Sequence, residues 1–191
     1  MKSVKFILIL FVLALSSNVF SQKIVNQIID KPSDGKSLIY IVRSGAGPLL
    51  NFRFYDNEVF LGAINGGQYL VYECEPGFHT FWATSENRDF IDATLEPNAV
   101  YVLNAEGQMG VFLAGVNFKP LNPQEFADRK LFYRVVKNDT KVIYAKSTAD
   151  KSENIAAGLS KYKDLIAKGS DKIEVLNPNM NFLNADKPTK D

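Results

Sequence analysis

The segment Gln68–Thr84 constrains the fold more than any other part of the chain. It reads Gln-Tyr-Leu-Val-Tyr-Glu-Cys, then Glu-Pro-Gly, then Phe-His-Thr-Phe-Trp-Ala-Thr. Two runs rich in aromatic and β-branched residues flank a Pro-Gly pair, which is the pattern of a β-hairpin. Pro76 presets φ at about −65°, and Gly77 accepts the positive φ of the next turn position. Similar runs extend from Leu38 to Phe118. The expected fold is therefore mainly β: an antiparallel β-sandwich, Ig-like or prealbumin-like, followed by a helical C-terminal extension.

The strand pattern is regular. Leu38–Arg43 is apolar on both parities, as a strand buried on both faces must be. Leu49–Tyr55 and Val59–Ala63 bracket Asp56-Asn57, a turn pair that tolerates left-handed backbone. Phe90–Leu95 and Ala99–Asn104 flank the turn Pro97-Asn98, and Glu106-Gly107 leads into Val111–Phe118. Short strands punctuated by Gly and Pro indicate a sandwich or barrel rather than a parallel sheet.

Beyond residue 121 the pattern changes. Asn122 as N-cap, Pro123 at the first helical position and Glu125 in a capping box predict a helix from Pro123 to about Phe132. Residues 131–145 fit either more helix or a hairpin around Asn138-Asp139. A second helix carries Ile155, Leu159, Tyr162, Leu165 and Ile166 on one face, with Asp150 and Glu153 as a capping box and Gly169 as its C-cap. The last ten residues are expected to be disordered. The domain reading is a leader over residues 1–21, a β-sandwich over 22–121, and the helical extension with its tail over 122–191.

The leader reading rests on Lys2 and Lys5, then an unbroken apolar run of ten from Phe6 to Leu15, then Val19 and Ser21 placed for cleavage before Gln22. A spanning helix needs about 20 apolar residues, so export without a membrane anchor is expected, to the periplasm or beyond the cell. A bacterial lipid anchor needs a cysteine directly after the apolar run, and the sole cysteine is Cys74. The formal net charge of +1 becomes −1 once Lys2 and Lys5 are removed. Neither value supplies the field that attracts nucleic acid or anionic membrane. A single cysteine forms no intramolecular disulfide.

Chemical motifs are sparse. Gly35-Lys36-Ser37 matches the end of a phosphate-binding loop, but position 30 is Asp30 rather than glycine and a strand follows. It reads as a turn. Gly45-Ala46-Gly47-Pro48 precedes no helix and reads as a loop. Asn138-Asp139-Thr140 matches a glycosylation sequon, relevant only in a eukaryotic secretory pathway.

In a two-residue hairpin, Cys74 would face His79, the sole histidine, and a thiol beside an imidazole can act as a nucleophile. The same parity groups both with Leu70, Tyr72, Phe81 and Ala83, an apolar face on which a thiol is inert. The sequence indicates no acid partner for His79. No catalytic residue, cofactor or metal site is expected. The other face of that hairpin carries Tyr69, Val71 and Trp82 beside Glu73 and Thr80. It is the candidate ligand or partner face, able to stack a glycan or receive a partner segment. The competing reading covers it with the C-terminal helices.

Five segments together carry a resemblance: Lys36–Arg43, Tyr55–Gly62, Gly67-Gln68-Tyr69, Glu75–Thr80 and Glu96–Tyr101. Their order resembles the uncharacterised bacterial family called domain of unknown function 2846. It covers about residues 36–105, a little over a third of the chain. It implies an exported β-sandwich, often a lipoprotein, with no assigned activity; this chain departs from it in lacking the lipobox cysteine. The Pro-Gly-Phe-His turn also resembles PEGA-type surface modules, which are structural sandwiches. The functional expectation is an exported non-enzymatic protein for envelope binding or scaffolding, with an envelope protein or glycan as partner. A carrier of a small ligand between sheet and helices comes second, and a hydrolase third.

Overall fold

Ten strands and two helices make up the described part of the chain. In order they are β1 (Ser37–Gly45), β2 (Phe52–Asp56), β3 (Val59–Ile64), β4 (Gln68–Cys74), β5 (Gly77–Thr84), β6 (Arg88–Leu95), β7 (Ala99–Met109) and β8 (Ala114–Pro120). Then come α1 (Phe126–Asn138), β9 (Thr140–Ile143), α2 (Ser152–Ala167) and β10 (Ile173–Leu176). The computed structural model describes residues 29–45, 51–109, 114–147 and 151–188. The expected leader, most of the Gly45–Pro48 loop, Val111 and Asp150 lie outside the described residues.

The strands form two five-stranded sheets packed face to face, ordered β8-β7-β1-β4-β9 and β10-β6-β5-β2-β3. The expected β-sandwich is correct, and its sheets are mixed. β1 runs parallel to β7, β4 to β9 and β6 to β10, while the remaining pairs are antiparallel.

Strand alternation distributes the apolar residues into layers. Ile39 and Ile41 of β1 point between the sheets and meet Phe52, Phe54, Phe81 and Ile91 from the other sheet. Leu38, Tyr40 and Val42 point outward, beneath Phe132, Tyr133, Val135 and Val136 of α1. On the far side, Tyr55, Trp82 and Phe90 point outward beneath Leu165 of α2. The order is helix, sheet, sheet, helix.

The hairpin expected at Gln68–Thr84 does not form. β4 pairs with β1 and β9, whereas β5 pairs with β2 and β6 in the opposite sheet. Glu75-Pro76 therefore carries the chain from one sheet to the other, and Gly77 turns it at φ +124°. The reason is turn geometry. Pro followed by Gly favours a type II turn, whose twist splays the two strands that a tight hairpin must keep paired. Genuine hairpins join β2 to β3 and β5 to β6; in the first, Asn57 takes the left-handed position at φ +48°.

The C-terminal part also differs from expectation. α1 begins at Phe126, not Pro123, and its N-cap Glu125 makes no side-chain cap bond. Asn122 instead accepts the Gln124 N–H at 3.0 Å, closing a turn of its own. Residues 131–145 divide: Leu131–Asn138 continues the helix, and Thr140–Ile143 becomes an edge strand on β4. α2 ends as expected, with Gly169 at φ +58° and the Gly169 and Ser170 amides donating to the Ile166 and Leu165 carbonyls. Ile166, expected on the packed face, is half exposed.

The tail is not disordered over its described length. Phe182 is fully buried against Phe132, its amide donates to the Val100 carbonyl at 2.7 Å, and Tyr133 Oη donates to the Ala185 carbonyl. Residues 122–188 thus supply a strand to each sheet and a cover to both outer faces, rather than forming an appended extension.

Gly158 sets how closely α2 approaches. A Cβ there would stand 2.5 Å from Cη2 at the tip of the Trp82 ring, which is held in place by Tyr55 stacked on it at 3.8 Å between centroids. Gly158→Ala gains about 1 kcal/mol of helix propensity but forces an overpacking cost of about 1–3 kcal/mol. The expected result is a lower Tm with a red-shifted emission from Trp82, the sole tryptophan; a higher Tm would show that the helix has room to move.

Candidate functional site

At one end of the inter-sheet core, four side chains from three strands converge: Asp56, Tyr72, Cys74 and His79. Alternation places them. Asp56 continues the inward parity of Phe52 and Phe54 on β2, and Tyr72 and Cys74 follow Leu70 on β4. His79 precedes Phe81 on β5. Asp56 and Cys74 are buried, while His79 is partly covered.

Asp56 organises the group. Its Oδ2 lies 2.8 Å from His79 Nδ1 and accepts Tyr72 Oη at 3.2 Å; its Oδ1 accepts Asn57 Nδ2 at 3.0 Å. The other ring nitrogen, Nε2, lies 2.9 Å from the Glu75 carbonyl oxygen. The imidazole stacks on Phe81 with centroids 5.5 Å apart. Both ring nitrogens thus face pure acceptors, a setting that favours the doubly protonated imidazolium. Burial opposes the charge, but the Asp56 hydrogen bond and charge, together with the Glu75 carbonyl, outweigh it and raise the His79 pKa.

The Cys74 thiol is pushed up to about 12, by burial first and then by the Asp56, Glu75 and Glu73 carboxylates. Burial and the Asp56 charge also raise the Tyr72 phenol. A cleft of about 410 Å³ opens beside the group, lined by Lys36, Glu73, Glu75, Tyr72, Cys74 and His79. Its rim is internally paired. Lys36 Nζ bonds Glu75, and Glu73 accepts both the amide and the hydroxyl of Ser33 at 2.7 and 3.0 Å.

This arrangement leaves the Cys74 thiol without a neighbouring base. A thiol needs a free imidazole nitrogen to take its proton, and both nitrogens of His79 are occupied. Cys74 Sγ has instead the Ser37 carbonyl at 3.9 Å. Among the described residues no three His, Cys, Asp or Glu side chains group to hold a metal ion. No described helix is long and apolar enough to cross a membrane.

Cys74 and His79 therefore share a face and a cleft, as their parity implies, but not as neighbours on one ladder. The expectation that His79 lacks an acid partner is wrong. Asp56, read from sequence as a turn residue, is that partner. Its signal was the inward parity it shares with Phe52 and Phe54.

The candidate ligand face does not exist as one surface. Tyr69 and Val71 lie on the outer face of the first sheet in the layer under α1, and Trp82 lies on the outer face of the second sheet under α2. All three are buried. The failed hairpin is the cause, since it alone would have placed them side by side. Gly35-Lys36-Ser37 is a turn into β1, with Gly35 at φ +76° and its amide bonded to Asn98 Oδ1.

No family model matches the chain, and no curated protein or solved structure shows significant similarity to it.

The Asp56–His79 pair predicts a pH signature. A raised folded pKa means that the contribution of His79 is full below its unfolded value of about 6.5 and fades as pH rises through the higher folded value. The Tm difference between the wild type and His79→Gln should be largest in acid and shrink toward alkaline pH. Asp56→Asn should cost about 3 kcal/mol, because it strands a buried partner. A difference that grows with pH would overturn this assignment.

Proposed function

We propose that the protein is an exported, non-enzymatic β-sandwich that works by binding or scaffolding at the bacterial envelope. The observation that carries the non-enzymatic part is the occupation of both His79 nitrogens beside a Cys74 thiol pushed up to about 12. The one histidine and the one cysteine of the chain, its most versatile catalytic groups, are committed to holding the two sheets together. Export is supported by the basic and apolar pattern of residues 1–21, and the buried Cys74 thiol is compatible with an oxidising compartment. The resemblance to the domain of unknown function 2846 and the PEGA-type modules points the same way, and we offer membership in the first as part of this reading.

The test has two arms. Intact mass of the protein recovered from an exporting bacterial host should begin at Gln22. Capture with the mature chain from an envelope extract should retain a discrete protein or glycan, and Cys74→Ala should retain it equally. Cytoplasmic retention of the full chain would remove export. Loss of a measurable turnover on Cys74→Ala or His79→Gln would remove the non-enzymatic reading.

A further inference from the structure

The outer face of the second sheet carries three parallel rows under α2. The central row is aromatic: Tyr55, Trp82 and Phe90, aligned across β2, β5 and β6. The row toward one end contains Thr80 and Asp92, and it is satisfied. Asp92 accepts Thr80 Oγ1 at 3.1 Å and Tyr162 Oη of α2 at 2.8 Å. The row toward the other end is Arg53, Thr84 and Arg88, and the α2 side chains that line the cleft beside Arg88 are Lys161 and Leu165, neither an acceptor.

Between α2 and the β5–β6 hairpin lies a cleft of about 480 Å³, lined by Arg88, Lys161 and Lys172 with Leu165, Asp89 and the Glu86-Asn87 turn. Arg88 Nε is buried without a hydrogen-bond partner. Tyr55 Oη is also buried and unpartnered, and the Arg53 and Arg88 charges act on it. The lining also carries the Glu86 and Asp89 carboxylates, and the Lys172 charge acts on Asp89; among the described residues no ion pair within 4.0 Å is seen for Arg88, Lys161 or Lys172. The Asn87 amide group is committed elsewhere, exchanging two 2.7 Å bonds with the Val116 backbone. Asp89 is committed as well, accepting the Phe118 amide at 3.2 Å. The carbonyls at the end of α2 nearest the cleft, Leu165 and Ile166, already accept the Ser170 and Gly169 amides.

We infer that this cleft binds the phosphoryl group of a small phosphate or phosphate ester. The chemistry is that of the donors. A guanidinium presents its Nε and Nη hydrogens as a fork that matches two phosphate oxygens, and two ammonium groups add point charges that favour a dianion. A bound oxygen would also satisfy the orphaned Arg88 Nε, a donor that costs free energy while buried and unpaired. The volume exceeds that of the phosphoryl group alone, and Leu165 gives the remainder an apolar wall for the organic part of an ester. This site stands apart from the Asp56–His79 cluster and from the envelope-binding reading, and it would hold whichever partner that reading finds.

The test is isothermal titration calorimetry of the purified chain with inorganic phosphate and, separately, with glycerol phosphate, at constant ionic strength. Trp82 emission is followed in parallel, since Leu165 of the cleft packs in the same cluster as Trp82. Saturable binding is expected, weakened by about tenfold or more in Arg88→Gln and in the double variant Lys161→Gln with Lys172→Gln. Lys130→Gln, an exposed cation on α1, should bind as the wild type does. Both lysines of the double variant are exposed, so that variant carries the test should Arg88→Gln fail to fold. Tighter binding of glycerol phosphate supports an ester as the ligand, and equal binding supports free phosphate. The absence of saturable binding, or an equal loss in Lys130→Gln, would overturn the inference.

Discussion

Strand β1 buries both of its faces, and the rest of the architecture answers to that. A strand apolar on one side can sit on a two-layer sandwich with its polar face in water. Leu38–Val42 has no polar face to offer, so a second layer must cover what the opposite sheet does not. The same holds across the molecule, where Tyr55, Trp82 and Phe90 point away from the inter-sheet core. Each sheet thus demands a helix on its outside, and the chain after residue 121 supplies one to each. Its two edge strands tie those helices in. β9 follows α1 and pairs with β4, and β10 follows α2 and pairs with β6.

Much of this was legible residue by residue, because alternation is a local property. The inward set on β4 and β5, the doubly apolar β1, the Asn57 turn and the glycine cap of α2 all follow from neighbours within a few positions. Pairing partners are not local. The Pro76-Gly77 step looks the same whether the next strand folds back beside β4 or crosses to the other sheet, and only the competition of β1, β9, β2 and β6 for ladder bonds decides it. One wrong partner then misplaced Trp82 relative to Tyr69 and Val71. Asp56 was missed for a related reason. Its position before Asn57 satisfies a turn, while its inward parity matters only once β2 is known to face His79 across the core. The capping box at Asn122–Glu125 failed locally, because Asn122 spends its side chain on the Gln124 amide and Asp128 takes the Asn122 amide.

The Asp56–His79 pair shows how a buried charge can be tolerated at the mouth of an apolar core. Isolated, either ion would be expelled by its desolvation cost. Here the carboxylate accepts three donors and the imidazole meets an acceptor at each nitrogen, so few polar valences are left over. The network also spans the Glu75–Gly77 crossover: Tyr72 lies before it, His79 after it, and Asp56 on a third strand. It therefore fixes the relative register of two sheets that no backbone ladder joins at this point. The same occupancy that makes His79 a good strut removes it as a base.

The cleft beside α2 follows from the same layering. A helix seals an aromatic row well, and Gly158 lets its backbone sit directly on Trp82. It cannot seal an arginine row in the same way, because covering Arg88 with apolar side chains would bury a guanidinium without acceptors. Two solutions were open to the chain: place a carboxylate on α2 above Arg88, or leave the space wet. At the Asp92 row the helix contributes a matching donor, Tyr162, and the contact closes. At the Arg88 row it contributes another cation, Lys161, and the gap stays open. The Glu86 and Asp89 carboxylates on the same wall offset part of the positive charge, and the buried Arg88 Nε still lacks an acceptor that the inferred phosphoryl oxygen would supply.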